Sequence, residues 1–263
     1  MIQFSFNRFG KLARWSLTND RKYYIKSFLQ LFVTLLFAFM FFTEITFRMS
    51  NAINPNYRAC AVITMLMFLV TFIVGPAYMF YSMEGKHDRQ ALLMLPASNF
   101  EKYLMRYSTW IILLPICVVA FFGADLLQYV YHVLSGHQYA TFVTAAFSDT
   151  MSELWKAGSD GENEYHVVNS MISTAILTHS FFALGATFFR SRKFNWVLTA
   201  IVILLGISLI VWLSPDKGES ASETTLSTII ITDAFFSLWT ILNFWLSYRL
   251  FCRTQVIGKF VNL

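Results

Sequence analysis

The chain has 263 residues, 56% of them apolar and only 13% charged, with 28 phenylalanines and a formal charge of +5. A soluble domain carries about 25% charged and roughly 45–50% apolar residues, so the surplus excludes a soluble globular domain and calls for lipid as solvent. Cys60, Cys117 and Cys252 are too few and too scattered for a disulfide framework or a metal site; they read as small apolar side chains.

Residues 1–26 are expected to form an amphipathic interfacial helix. Phe9, Leu12, Ala13 and Leu17 fall at helical spacing, while Arg8, Lys11, Arg14 and Arg21 sit elsewhere on the wheel. A hydrocarbon core about 30 Å thick takes about 20 residues at ~1.5 Å each. Six segments meet that length: 27–47, 59–83, 107–131, 167–189, 194–214 and 226–250. The first does not read as a cleaved leader, because its charged preamble is long and Thr43 to Phe47 offer no small-x-small site. Gly75-Pro76 and Pro115 predict kinks in the second and third.

The connection 84–106 opens with Glu84, Gly85, Lys86, His87, Asp88 and Arg89, then runs through Gln90-Ala91-Leu92-Leu93-Met94-Leu95. That second stretch suits a short helix. Pro96 stops it, since the residue before proline is pushed out of the α region. Ser98 and Glu101 then make an S-x-x-E capping box that starts the next long helix. A short helix hung between two spans costs entropy to order and gains little unless something docks on it. A protein partner is therefore expected there. In the insert 132–166, Val143, Ala146, Phe147, Met151, Leu154 and Trp155 follow helical spacing and Gly158 suits a C-terminal stop. This helix should lie on the outer surface, either as a plain surface element or as a lid.

The expected fold is all-α: an interfacial helix over 1–26 and a six-span transmembrane bundle over 27–263. Orientation follows from Lys and Arg in the connections. Sixteen of the 20 fall in the leader, the connections after the second and fourth spans, and the tail. Arg48, Arg58, Lys156 and Lys217 occupy the other side. Both termini are thus expected in the cytoplasm, and the positive charge needs no nucleic acid to explain it.

Ionisable groups at membrane depth cost about 2.5–3.5 kcal/mol and are functional candidates by default. Glu44 and Asp125 lie near the outer ends of spans one and three, where headgroups or water are in reach. His179 sits mid-span among Ser170, Ser173, Thr174 and Thr178, as an interhelical hydrogen-bonder or a proton relay. Asp233 lies roughly 10 Å below the outer end of the sixth span. Asp233, Ser237, Thr240, Asn243 and Ser247 share an arc of about 120° at ~100° per residue. Lipid cannot satisfy such a stripe. It serves helix packing, or it lines an internal path or a contact with a second subunit.

No phosphate loop, H-E-x-x-H, G-x-S-x-G or metal-spaced cluster occurs, so no catalytic residue or metal is expected. A basic interfacial helix, six spans with both ends inside, and a short helix between spans two and three together resemble the permease subunits of type-2 ATP-binding-cassette exporters. The most specific stretch is Leu92-Leu93-Met94-Leu95-Pro96-Ala97-Ser98-Asn99-Phe100-Glu101-Lys102. It is similar to the leucine-rich, Pro-Ala-Ser, Glu-Lys pattern of some bacterial permeases of that family. The resemblance implies a multi-pass transport subunit of the bacterial cytoplasmic (inner) membrane, not itself an enzyme. It implies pairing with a second permease, the same or a different chain, and with soluble phosphate-loop ATPase subunits that bind ATP and Mg. Glu84, Lys86, His87, Asp88, Arg89, Leu92 and Leu93 would then couple to the ATPase. Asp233, Ser237, Thr240, Asn243 and His179 would face the substrate path. The alternatives are a sensor or assembly subunit that moves no substrate and, less favoured, an intramembrane enzyme.

Overall fold

The computed structural model describes residues 4–45, 56–80, 86–136, 140–157, 164–189, 194–213 and 226–253. Among these the regular elements are helices and no strand occurs. Five helices are long and apolar enough to cross a membrane: Arg21–Ile45, Tyr57–Tyr78, Asn99–Leu134, Asn169–Phe188 and Ile229–Cys252. The chain is an all-α protein with the helices of a multi-pass membrane protein. The segment expected as the fifth span is the apolar helix Asn195–Leu213.

Helix α1 (Phe6–Asn19) is separated from α2 (Arg21–Met40) by Asp20 alone. The leader helix is thus shorter than 1–26, and Lys22 and Lys26 belong to the next helix. A π-helical turn, Phe41–Ile45, prolongs α2. α3 (Tyr57–Val74) passes into a 3-10 turn, Gly75–Tyr78, because Pro76 has no N–H to continue the α pattern. The short α4 (Lys86–Met94) precedes α5 (Asn99–Leu134), which stays helical through Pro115. Then come α6 (Val143–Ala157), α7 (Glu164–Phe188), α8 (Asn195–Leu213) and α9 (Leu226–Cys252).

Two compact units emerge. The first comprises Met1–Thr18, Ile73–Trp110 and Gly161–Leu263. Its core joins Leu12 of α1, Met79, Leu92 of α4, Tyr103 and Met105 of α5, Ala186 of α7 and Phe251 of α9. Phe9 and Trp15 also pack there, whereas Leu17 stays exposed. α1 therefore packs part of its apolar face, Phe9 and Leu12, on protein. A Cβ on Gly185 of α7 would collide with the Thr199 side chain of α8, so glycine is what lets these helices approach.

The second unit comprises Asn19–Phe72 and Ile111–Asp160. Phe121 of α5 is its centre, with Phe39 of α2, Phe68 of α3 and Phe147 of α6 around it at 6.1, 6.4 and 5.8 Å. Asp125 and Glu44, expected to reach headgroups or water, are instead buried in this unit. Asp125 caps α6: it accepts Val143 N–H at 2.7 Å, Thr144 N–H at 3.0 Å and the Thr144 hydroxyl at 2.6 Å. The free donors of a helix start satisfy a carboxylate without water. Glu44, in the π-helical turn, lies 3.8 Å from His132 Nδ1. The insert forms a helix as expected; Gly158 lies outside the described residues.

Candidate functional site

Three charged residues in the first two turns of α5 are buried in the first unit: Glu101, Lys102 and Arg106. Buried charge is costly unless it is paired or hydrogen-bonded: Glu101 is ion-paired with Arg8, and Lys102 and Arg106 donate to backbone carbonyls. Glu101 completes the expected capping box. Its N–H donates to Ser98 Oγ at 3.2 Å and its Oε2 accepts Ser98 N–H at 2.7 Å. The same carboxylate accepts Ser5 N–H at 2.8 Å, Arg8 Nε at 2.8 Å and Arg8 Nη2 at 2.7 Å. At about 1.5 Å per residue the 36 residues of α5 outrun a hydrocarbon core about 30 Å thick, and the span expected over 107–131 leaves Glu101 outside it. The Arg8 guanidinium, aided by the Ser5 and Ser98 N–H groups and opposed by burial, holds the Glu101 carboxyl at about 2.

Lys102 Nζ donates to the Leu93 carbonyl at 2.8 Å, at the end of α4 where unpaired carbonyls attract a cation. Arg106 donates through Nε to the Met79 carbonyl and through Nη1 to Ser16 Oγ, both at 3.1 Å. One helix end thus holds α1 at Ser5, Arg8 and Ser16, the turn leaving α3 at Met79, and α4 at Leu93.

The helix held this way has nine residues, too few to be stable by itself in water. Leu92 is buried in the core and Leu95 packs against it. Met94, in contrast, is 82% exposed. Of the seven expected coupling residues, Leu92 is therefore an anchor and Leu93 is half-buried. Glu84 and the side chains of Lys86, His87, Asp88 and Arg89 lie outside the described residues.

The polar stripe of α9 divides into two parts. Thr240, Asn243 and Ser247 are buried. Asn243 Nδ2 donates to Ser180 Oγ at 2.9 Å, and Ser247 donates to the Ala183 carbonyl at 3.0 Å. Ser247 also accepts the Tyr103 hydroxyl at 3.0 Å and that of Thr187 at 3.2 Å. His179 is buried beside Trp110, ring centres 4.7 Å apart, and its Nε2 shares a 2.7 Å hydrogen bond with the Tyr107 hydroxyl. These groups tie α9, α7 and α5 together. Asp233 is half-buried and Ser237 exposed. Asp233 Oδ2 accepts Asn169 Nδ2 at 2.9 Å, whereas Oδ1 has no partner among the described residues.

No family model, curated protein or solved structure matches the chain. The chemistry must be read from the residues alone. Among those described, no three His, Cys, Asp or Glu side chains stand close enough to hold a metal. In the sequence, Arg8 belongs to the polar face of the leader helix, Lys102 to the Leu92–Lys102 stretch, and all of Arg8, Lys102 and Arg106 to the orientation count; none of them is placed in a buried cluster. The capping-box spacing was the one signal that could have pointed to their cluster.

Proposed function

We propose that this chain is the membrane-spanning permease subunit of an ATP-driven exporter, in a bacterial cytoplasmic membrane, with six spans and both termini inside. It works as a dimer with a second permease, and separate phosphate-loop ATPase subunits bind ATP and Mg. The observation that supports the reading is the treatment of α4. A helix too short to persist alone is fixed between two spanning helices by a buried lysine and a buried leucine, with an apolar side chain left exposed. Lever-like rigidity is what a coupling element needs. A push on α4 passes to α5 through the Lys102–Leu93 bond and to α1 through Glu101 and Arg106. Nucleotide-driven movement of the ATPases would then bias the spans between inward and outward access.

The test is a gentle-detergent pull-down of the tagged chain, with identification of what co-purifies. A phosphate-loop ATPase should be recovered, and replacing 84–95 by a Gly-Ser linker should lose it. Recovery of the chain alone, or with partners that hydrolyse no nucleotide, sinks the permease reading in favour of a sensor or assembly subunit.

A further inference from the structure

We propose that α1 binds anionic phospholipid, with Lys11 and Arg14 taking the headgroup and Phe6 and Leu17 lying against the acyl chains. The partner is the bilayer rather than a cargo or an ATPase, so the proposal goes beyond the permease reading and does not rest on it.

Contacts divide the surface of α1 into three. One side is spent on protein: Phe9, Leu12 and Trp15 pack on the core, Ser16 is buried, and Arg8 is paired with Glu101. At ~100° per residue the other positions fall into two parallel ridges, each spaced by 4, 3 and 4 residues. Phe6, Gly10, Ala13 and Leu17 make an apolar ridge on which Phe6 is 83% and Leu17 44% exposed. Asn7, Lys11, Arg14 and Thr18 make a polar ridge, and all four are exposed. Lys11 and Arg14 stand three apart and so are neighbours on the helix surface. The helix carries no Asp or Glu, and neither cation has an acidic partner among the described residues.

The level of α1 selects the occupant. Its core partners stand at one end of three long helices: Tyr103 near the start of α5, Ala186 in the last turn of α7 and Phe251 in the last turn of α9. At its own C-terminal end only Asp20 separates α1 from the spanning helix that begins at Arg21. That is the level of the headgroups. A helix lying there with an apolar ridge beside a cationic one matches acyl chain beside phosphate. A zwitterionic lipid brings a choline cation with every phosphate, which cancels the attraction. A soluble acidic protein would have to displace lipid from Phe6 and Leu17 to reach both ridges.

The closing experiment labels the full-length chain with a fluorophore at Gly10→Cys, where an added Cβ meets nothing within 4 Å. Cys252→Ser removes the exposed thiol, and Cys60 and Cys117 are buried. The chain sits in phosphatidylcholine nanodiscs with a fixed minor fraction of brominated lipid, either phosphatidylglycerol or phosphatidylcholine. Stronger quenching by the phosphatidylglycerol is expected, as a preference of roughly fivefold or more, the order that a cation near an anionic surface supplies. Lys11→Gln with Arg14→Gln should bring the two lipids level, whereas Lys11→Arg with Arg14→Lys should keep the preference. Arg21, Lys22 and Lys26 of α2, exposed as well, stay in every chain and cancel in the comparison. Inorganic phosphate should do no more than chloride of equal ionic strength; if it abolishes the preference where chloride does not, the ridge takes free phosphate and the proposal falls. Equal quenching by the two lipids with Lys11 and Arg14 in place overturns it. So does quenching by neither, which means that protein or water covers α1. Both outcomes decide the matter even if the neutralised chain does not fold. A preference that survives neutralisation overturns it too.

Discussion

Glu101 and Asp233 are both carboxylates on long, mainly apolar helices of one unit, and the fold treats them in opposite ways. Glu101 is fully buried and collects donors from Ser5, Arg8 and Ser98. Asp233 is half-buried and has one donor among the described residues, Asn169. Bonds to a carboxylate are charge-assisted in both places, but Glu101 collects several together with the Arg8 charge, and Asp233 has the Asn169 amide among the described residues. A saturated carboxylate can only hold parts together. An unsaturated one holds fewer of them.

The comparison breaks first if the saturated region proves dispensable. Arg106→Ala removes the charge-assisted bonds to Met79 and Ser16, each worth about 1.5–3 kcal/mol, while relieving the cost of burying the charge. The expected net loss is about 3 kcal/mol, read as a lower unfolding midpoint in detergent. Arg106→Lys keeps the charge and loses the fork that reaches Met79 and Ser16 together, and should lose about half as much. A wild-type midpoint in Arg106→Ala would mean that buried charge here holds nothing.

A smaller effect follows from pH. The Glu101 carboxyl sits at about 2 against an ordinary value of 4.5. A depressed folded-state value means stabilisation that is full above 4.5 and fades as pH falls toward about 2. Hydrogen exchange in residues 5–18, corrected for the intrinsic rate, should accelerate across that window in the wild type. In Glu101→Gln the protection should already be low and flat with pH. Protection that persists unchanged to pH 2 in the wild type would separate α1 from Glu101.

Much of the fold was legible because lipid leaves little choice: apolar runs of spanning length must be helices, and the Ser98–Glu101 spacing marked where α5 begins. Boundaries that depend on packing were less legible. Periodicity put Phe9, Leu12, Ala13 and Leu17 on one apolar face of the leader helix; tertiary contact takes Phe9 and Leu12, adds Trp15 and leaves Leu17 exposed. Asp125 and Glu44 read as interfacial because their partners, the first turn of α6 and His132, are distant in sequence and carry no local signal. For the same reason nothing in the sequence joins Arg8, Lys102 and Arg106 into one cluster. The stripe of α9 was visible as an arc, but only the structure divides it at Thr240. Which groups have spent their hydrogen bonds is a property of contacts, not of spacing.

The smallest effect sharpens that division. Asn243 lies in the spent part of the stripe, donating to Ser180 Oγ, and Ser180 in turn donates to the Leu177 carbonyl at 2.6 Å. Asn243→Ala therefore strands no proton on Ser180; it removes one neutral bond and a few contacts. Interhelical bonds of this kind average about 0.6 kcal/mol, with a ceiling near ~1.7, and a loss at the low end is expected for the unfolding midpoint. A loss of about 3 kcal/mol, matching Arg106→Ala, would show that a neutral amide here carries as much as a saturated charge. The distinction between a saturated region and an unsaturated one would then have to rest on exposure alone, which singles out Asp233 and Ser237 and no other member of the stripe.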